Sequence, residues 1–325
     1  MLLYPFKFEP ILKEIIWGGD EICVFKDIQP RKTGVGESWE VSHVKNDISV
    51  VANGELKGQS LENLIDTYKE KLLGEKVIEH FGTTFPLLIK FIDARDSLSI
   101  QVHPDDKLAK VRHNSFGKTE MWYIINAAPK AFLYSGFAKA ITPEQYIQSL
   151  EDDTFINYLQ KFEVQSGDVF FLPAGRVHAI GAGCFIAEIQ QTSDITYRIY
   201  DYNRKDANGN PRELHTSLAK DAIDYQVYPD YKLQYTPGQK EVESLVSCPY
   251  FTTNLIEAKK GEEITQTHND TFSVYICLEG HVTLTDNNDF SIELKQGETV
   301  LIPAENQKVR LQMQADSKLM ETFIA

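Results

Sequence analysis

Three separate stretches of this sequence carry side chains of the types that bind divalent metal ions. Gln101 and His103 alternate in Ser99-Ile-Gln-Val-His, Glu120 lies in a later stretch, and His178 ends the run Gly167-Asp-Val-Phe-Phe-Leu-Pro-Ala-Gly-Arg-Val-His. Imidazole nitrogens, a carboxylate and an amide oxygen form a donor set that suits Zn²⁺ and accommodates Fe²⁺, Mn²⁺ or Co²⁺. We therefore predict that these four side chains bind one divalent ion, zinc by preference, if the fold brings the stretches together.

β-Strands are the elements expected to position these donors. Successive side chains of a strand point to opposite faces, so Ser99 shares a face with Gln101 and His103. By the same alternation Lys118 shares a face of the next strand with Glu120. Glycine and proline before His178 predict a strand that ends in a tight turn. The predicted structure thus has one packed face and one face for chemistry.

Further polar side chains are expected near the metal. Ser99 and Lys118 would add a hydroxyl and an ammonium, which suit a phosphate or a sugar oxygen, although Lys118 and Glu120 could instead form a surface ion pair worth under about 1 kcal/mol. Arg198 and Arg204 are six residues apart, hence on one face if the strand is continuous, where arginine forks bind phosphate in a bidentate way. The alternative is that Arg198 and Arg204 form a solvated basic edge and no binding site.

The rest of the chain is predicted to be mainly β. Residues 1 to 57 contain short strands and turns, with Asn53-Gly54 as a hairpin signal. Apolar residues at helical spacing predict a helical segment from Leu61 to Phe81. Thr142-Pro143 begins a second helix with a capping box, and a short helical stretch is expected near Leu214 to Tyr225.

We predict two domains: a catalytic domain with helical segments over residues 1–235 and a small C-terminal domain over residues 236–325. The boundary lies near Thr236-Pro-Gly-Gln-Lys240, where turn formers interrupt the pattern. Gly297 and Pro303 repeat the spacing of Gly167 and Pro173, but Ala304-Glu-Asn-Gln replaces the ending that carries histidine. Both domains therefore resemble cupin jelly rolls with a few intervening α-helices, and the second is expected to be metal-free.

Charge and composition exclude several classes of partner. With 33 basic and 47 acidic residues the formal charge is −14, which opposes nucleic-acid binding because that affinity comes mostly from Lys and Arg. No apolar run approaches the roughly 20 residues of a membrane span, and the N-terminus lacks the pattern of a signal peptide. We expect a cytoplasmic protein with reduced, buried cysteines, a small-molecule partner and no obligatory protein partner.

The motifs in combination resemble a known family, the type I mannose-6-phosphate isomerases, also called phosphomannose isomerases. They are Pro86-Leu-Leu-Ile-Lys90 continuing to Ser99-Ile-Gln-Val-His103-Pro-Asp, Gly117-Lys-Thr-Glu120-Met-Trp-Tyr, the His178 turn, and Ser193-Asp-Ile-Thr-Tyr-Arg198. The similarity spans most of the chain. It is to the short bacterial branch, which lacks the family's larger helical insertion.

The resemblance implies a zinc-dependent aldose-ketose isomerase that interconverts mannose 6-phosphate and fructose 6-phosphate through an enediolate. It puts the family's single zinc on Gln101, His103, Glu120 and His178, and its catalytic arginine at Arg198. Positions along the phosphate end or the substrate channel are matched by Ser99, Lys118 and Arg204, where Arg204 replaces a lysine of larger members. Further polar active-site positions are matched by Lys90, Glu37, Glu188 and Asp194.

The base that moves the proton between C1 and C2 is not readable from spacing. We choose Glu188, with Asp194 and a zinc-bound water as rivals. An equal alternative is that Glu188 only orients His178 or Arg198 and does not act as the base.

Other functions are compatible with part of the pattern. Two histidines and a carboxylate also form the facial triad of non-haem iron oxygenases, which cupins often carry. Gln101 argues against that class, because a fourth protein ligand leaves fewer positions for oxygen and substrate. A non-catalytic cupin that binds a sugar phosphate is the other alternative.

Overall fold

The computed structural model describes residues 2–205, 209–239 and 241–325, and antiparallel sheets account for most of its architecture. The helices are α1 Glu21–Phe25, α2 Leu61–Tyr68, α3 Glu70–Leu73, α4 Glu75–Phe81, α5 Asp106–His113, α6 Pro143–Glu151 and α7 Thr216–Ala222. No helix among the described residues is both long enough and apolar enough to cross a membrane. The expected fold class, mainly β with a few helices between strands, is confirmed.

The N-terminal part is a sandwich of two sheets. Its strands are β1 Ile11–Gly19, β2 Val35–Val41, β3 His43–Val44, β4 Asp47–Ile48, β5 Leu87–Ala94, β6 Ile100–Val102, β7 Glu120–Ala127, β8 Phe132–Phe137, β9 Leu159–Glu163, β10 Val169–Leu172, β11 His178–Ile180, β12 Cys184–Gln191, β13 Tyr197–Tyr200 and β14 Lys232–Leu233. One sheet has the order β1-β2-β5-β12-β7-β10-β14, the other has the order β13-β6-β11-β8-β9, and β3 and β4 pair separately with each other. Trp122 and Ile186 of the first sheet share a core with Leu133 and Ile180 of the second.

The C-terminal part is a second sandwich. Its strands are β15 Val242–Ser247, β16 Thr252–Ala258, β17 Glu263–Thr267, β18 Ser273–Glu279, β19 His281–Asp286, β20 Ser291–Lys295, β21 Thr299–Ile302, β22 Lys308–Met313 and β23 Ser317–Phe323. They form a sheet of order β15-β16-β23-β18-β21 and a sheet of order β17-β22-β19-β20. Tyr275 and Leu319 lie in the core between these two sheets, together with Leu284 and Leu311.

The sheet that contains β5, β7 and β12 is buried on both faces. Along β7, Glu120 and Trp122 face the interior of the N-terminal sandwich, whereas Met121 and Tyr123 pack in a second core. That second core also contains Val274 and Met320 of the C-terminal sandwich. Strand alternation therefore gives each residue of this sheet one of two environments.

The predicted helical segment from Leu61 to Phe81 is interrupted twice. It forms α2, α3 and α4, because Lys69 and Gly74 have φ values of 42° and 100°. A Cβ atom at Gly74 would lie 2.1 Å from the backbone oxygen of Asp270 in the C-terminal part. A close contact between residues far apart in the sequence thus interrupts a helix that the local apolar spacing predicts to be continuous.

The other local predictions have mixed outcomes. Thr142 caps α6 with the expected capping box, and α7 lies within the stretch expected near Leu214 to Tyr225. Asn53-Gly54 forms a turn, with φ of 64° at Gly54, but only single bridges such as Val50 to Ser60 flank it instead of a long hairpin. Cys23, Cys184 and Cys277 are buried and free, whereas free Cys248 is only partly buried.

The repeated glycine and proline spacing marks equivalent strands in the two sandwiches. Gly167 and Gly297 both have positive φ and precede β10 and β21. In the second sandwich, Ala304 of the turn that follows donates its N–H to the Leu72 carbonyl of α3 at 2.9 Å. The domain boundary at 235/236 falls between β14 and β15 and stays a prediction. Lys240 and residues 206–208 of the polar turn lie outside the described residues.

Asp93 is a buried carboxylate near the end of β5. Its Oδ2 accepts a hydrogen bond of 2.8 Å from the Glu21 N–H at the start of α1. Burial raises the pKa of Asp93 to about 6, although the Glu21 N–H favours the ionised form. Because this value lies above that of unfolded aspartate, about 3.9, the folded state loses stability as the pH rises from the unfolded to the folded pKa.

Asp93→Asn keeps an acceptor for the Glu21 N–H and removes the charge. Relative to wild type, we expect the variant's free energy of unfolding to increase by up to about 3 kcal/mol between about pH 4 and pH 7, since one pKa unit is worth about 1.4 kcal/mol. Urea unfolding at several pH values measures this difference, with Asp96→Asn at an exposed position as control. A difference that stays constant over this range would contradict the prediction.

Candidate metal centre

The fold brings His103, Glu120 and His178 into one cluster. Their donor atoms all lie within 4.8 Å of one another. Glu120 Oε2 is 3.5 Å from His103 Nε2, and Glu120 Oε1 is 3.3 Å from His178 Nε2. The three residues are at most 2% exposed, so their donor atoms are shielded from bulk solvent.

Backbone carbonyls orient both histidine rings. His103 Nδ1 lies 2.9 Å from the Ile195 carbonyl oxygen, and His178 Nδ1 lies 2.9 Å from that of Arg176. A carbonyl only accepts, so each Nδ1 carries the hydrogen and each Nε2 directs its lone pair into the cluster. Both rings are therefore held in the tautomer that a metal ligand requires.

Gln101 supplies the fourth predicted donor. It pairs with His178 across β6 and β11, and its amide end lies 3.3 Å from His178 Nε2. The oxygen and nitrogen of an amide exchange places by a half-turn of the side chain. The amide oxygen can thus point into the same cluster as the three buried donors.

The electrostatics of the cluster fit a bound cation. Burial lowers the pKa of His178 to about 3 and that of His103 well below its usual value, so both rings are neutral. Burial also raises the pKa of Glu120 to about 7, and its Oε1 has no hydrogen-bond partner among the described residues. A divalent ion would use the neutral imidazoles and compensate the carboxylate, so these residues fit a metal site.

Lys118 belongs to the cluster and not to the surface. Its Nζ lies 2.8 Å from Glu120 Oε2 and 3.1 Å from His103 Nε2, and the residue is 5% exposed. The alternative of a surface ion pair with Glu120 is therefore wrong. The side chain places an ammonium group between the donor cluster and the adjoining cavity.

A cavity of about 260 Å³ opens beside the cluster. It brings together many of the residues that the sequence singled out; its polar lining includes Glu37, Lys90, Ser99, Gln101, Lys118, Glu188, Asp194 and Arg198. Trp17, Thr196 and Arg212 also line it, and the sequence alone did not assign them to a site. The cavity contains both cationic and anionic groups next to the metal donors.

Glu188 and Lys90 form a buried ion pair in this cavity. Lys90 Nζ lies 3.2 Å from Glu188 Oε2, and Trp122 Nε1 donates to Glu188 Oε1 at 2.8 Å. Burial alone would raise the pKa of Glu188, but Lys90 and Lys118 lower it to about 2. Burial likewise opposes the charge of Lys90, but Glu188 and Glu37 raise its pKa overall. Both groups are charged at neutral pH.

Arg204 does not continue the strand of Arg198. β13 ends at Tyr200, and Tyr202 and Asn203 have left-handed φ values of 55° and 53°. The premise of one continuous strand is therefore wrong. The Arg204 guanidinium donates to the Ser97 carbonyl and to the Asp201 carboxylate, and Arg204 is not among the described residues that line the cavity.

Arg212 is the second arginine of the cavity. Its Nε donates to Asp201 Oδ2 at 2.7 Å, and a bridge between Lys205 and Pro211 returns the chain to this point. Turn formers Gly209-Asn-Pro211 were the sequence signal for that reversal. Arg198 and Arg212 both line this cavity. Burial lowers the pKa of Arg198, and the charge of Arg212 adds to the effect.

Comparisons with known proteins agree with this geometry. Residues 5–130 match the family model for the catalytic domain of type I phosphomannose isomerase, and residues 241–317 match that for the cupin domain of mannose-6-phosphate isomerase. The mannose-6-phosphate isomerase ManA of Bacillus subtilis is 35% identical over 309 residues, which cover 93% of this chain and 94% of that protein.

The chain belongs to the type I mannose-6-phosphate isomerase family. The mannose-6-phosphate isomerase of Streptococcus mutans is 33% identical over 89% of each chain. A crystal structure of mannose 6-phosphate isomerase from Bacillus subtilis superposes with a TM-score of 0.87 at 30% identity, covering 98% of this chain and 99% of that one. The resemblance seen in the sequence motifs is confirmed, as is the cupin fold of this isomerase family.

His178→Ala should remove the metal, because it deletes a buried donor whose Nε2 faces Glu120. We expect the purified variant to contain less than about a tenth of the wild-type metal, in line with the loss of one ligand from a small donor set. Elemental analysis after dialysis measures this content, with His80→Ala at an exposed position as control. A metal-replete H178A protein would remove His178 from the site.

Proposed function

We propose that this chain is a zinc-dependent isomerase that interconverts mannose 6-phosphate and fructose 6-phosphate through an enediolate. The observation that carries the proposal is the buried His103, Glu120 and His178 cluster beside a cavity with several cationic side chains. The names of the relatives describe the same activity in other organisms. The cavity therefore offers cationic side chains for the phosphate of a phosphorylated sugar, and the adjoining cluster offers a metal site for its carbonyl.

Gln101, His103, Glu120 and His178 would hold the ion. A Zn²⁺ ion bound there supplies Lewis acidity that polarises a carbonyl oxygen. Other divalent ions fit the same donors, so the choice of zinc is part of the proposal.

We assign Arg198 to act on the same reacting atoms. It pairs with Gln101 across β13 and β6, and Gln101 pairs with His178 across β11. Neighbouring strands are about 4.8 Å apart, so Arg198 lies one strand from a proposed ligand. Its Nε is buried without a hydrogen-bond partner among the described residues, and we assign it to stabilise the oxyanion that develops on the sugar.

For the base we prefer a carboxylate other than Glu188. A general base works best when its pKa lies near the working pH, whereas Lys90 and Lys118 lower the pKa of Glu188 to about 2. Glu188 is thus better suited to hold the Lys90 ammonium in the cavity. Asp194 is exposed and lines the cavity, and we propose it as the carboxylate that accepts the proton.

The phosphate would be bound by side chains around the cavity. Arg198 and Arg212 are two cations of the cavity lining, and the Asp201 carboxylate accepts from Arg212. Ser99 and Lys118 line the cavity on the metal side, where they would contact the sugar oxygens. In this proposal Arg212 takes the anchoring role that the sequence suggested for Arg204. Arg204 donates a hydrogen bond to the Asp201 carboxylate.

A coupled assay tests the proposed activity directly. Protein with bound zinc should convert mannose 6-phosphate to fructose 6-phosphate, chelator-treated protein should lose this activity, and added Zn²⁺ should restore it. Oxygen consumption would indicate an iron oxygenase. Binding of the sugar phosphate without turnover would indicate a non-catalytic sugar-phosphate-binding cupin. Full isomerase activity in rigorously metal-free protein would refute zinc dependence.

The cytoplasmic location stays a prediction.

Arginine variants separate anchoring from catalysis. Arg212→Met should raise KM for mannose 6-phosphate about tenfold or more, because one charge-assisted hydrogen bond is worth roughly 1.5–3 kcal/mol. Arg198→Ala should lower kcat by about a hundredfold or more while the metal is retained. Arg204→Met is the matched control, and steady-state kinetics should show a smaller KM change for it than for R212M. A larger KM change for R204M than for R212M would assign the anchoring role to Arg204.

A further inference from the structure

Thr119 fastens the chain segment that carries two groups of the metal centre. Lys118 and Glu120 point into the site, and Thr119 between them points away and is buried. The Thr119 N–H donates to Gln191 Oε1 at 2.8 Å, and its carbonyl accepts from the Gln191 N–H at 3.0 Å. Its Oγ1 accepts from the Ala174 N–H at 3.3 Å. Thr119 thus connects this segment to β12 and to the turn that leads to His178.

Asp106 orients the Gln191 side chain. Gln191 Nε2 donates to Asp106 Oδ1 at 3.0 Å, and the same oxygen accepts from the Gly117 N–H at 2.8 Å. Because an ionised carboxylate only accepts, this contact fixes the amide with its oxygen toward Thr119. Asp106 therefore holds the segment at Gly117 directly and at Thr119 through Gln191.

The packing around Gly117 leaves this segment little freedom. A Cβ atom at Gly117 would lie 2.6 Å from the backbone nitrogen of Asp106. The backbone of residue 117 therefore lies directly against the first residue of α5. A shift of α5 would be transmitted to the two residues before Glu120.

We infer that Asp106 is a positioning residue for Glu120 and Lys118. It acts through Gln191, Thr119 and the Gly117 backbone, and it is not among the described residues that line the cavity. This inference rests on the proposed function, because it takes Glu120 to be a metal ligand.

Asp106→Ala tests the positioning role, and Asp105→Ala is its matched control. Asp105 caps the same helix by accepting from the Leu108 N–H at 2.8 Å, so D105A weakens α5 without removing the contacts to Gly117 and Gln191. We expect D106A to weaken Zn²⁺ binding about tenfold, as is typical when an outer partner of a metal ligand is lost, with kcat reduced in the zinc-loaded protein. D105A should keep the wild-type zinc affinity even if its melting temperature falls as far.

The zinc titrations use a competing chelator and the full chain, so they do not depend on turnover. Equal zinc affinity in D106A, D105A and wild type would overturn the positioning role while leaving the proposed isomerase intact. Wild-type protein that fails to bind zinc would instead refute the proposed function. If D106A does not fold, Gln191→Leu decides the question, because it removes the side chain that links Asp106 to Thr119. A zinc affinity equal to that of wild type in Q191L would also overturn the inference.

Discussion

The structure depends on the balance of charge in one buried cluster. The donor atoms of two neutral imidazoles and one carboxylate lie within 4.8 Å of one another in a buried cluster. A buried carboxylate without compensation is costly, so a cation beside Glu120 stabilises its ionised form. The chain brings the Lys118 ammonium next to it, and the same donors fit a divalent ion. The surrounding contacts orient these groups toward that cation.

The sheet that is buried on both faces makes this arrangement possible. One face of β7 presents Glu120 to the site, and the other face packs Met121 in the core shared with the C-terminal sandwich. A residue of this strand cannot shift toward either side without disturbing a packed core. The C-terminal sandwich therefore supports the metal centre although it supplies none of the proposed ligands.

Much of the site could be predicted because its signals are local. The alternation of strand side chains placed Gln101 and Glu120 correctly, and glycine and proline spacing predicted the turn before His178. The prediction failed where distant segments meet. Apolar spacing did not reveal that Gly74 lies against Asp270 and breaks the helix, and the spacing of Arg198 and Arg204 did not reveal the turn after Tyr200. Arg212 was missed because its place in the cavity depends on the reversal before it.

The sequence by itself determined the donor types, the mainly β class and the family, because these follow from residue identity, from a two-residue period and from motifs that are contiguous along the chain. Only the tertiary structure decided which groups are buried together. It showed that Lys118 belongs to the cluster, that Lys90 and Glu188 neutralise each other, and that Asp201 is shared by Arg204 and Arg212. Burial and electrostatic pairing arise from contacts between segments far apart in sequence, and local patterns carry no information about them.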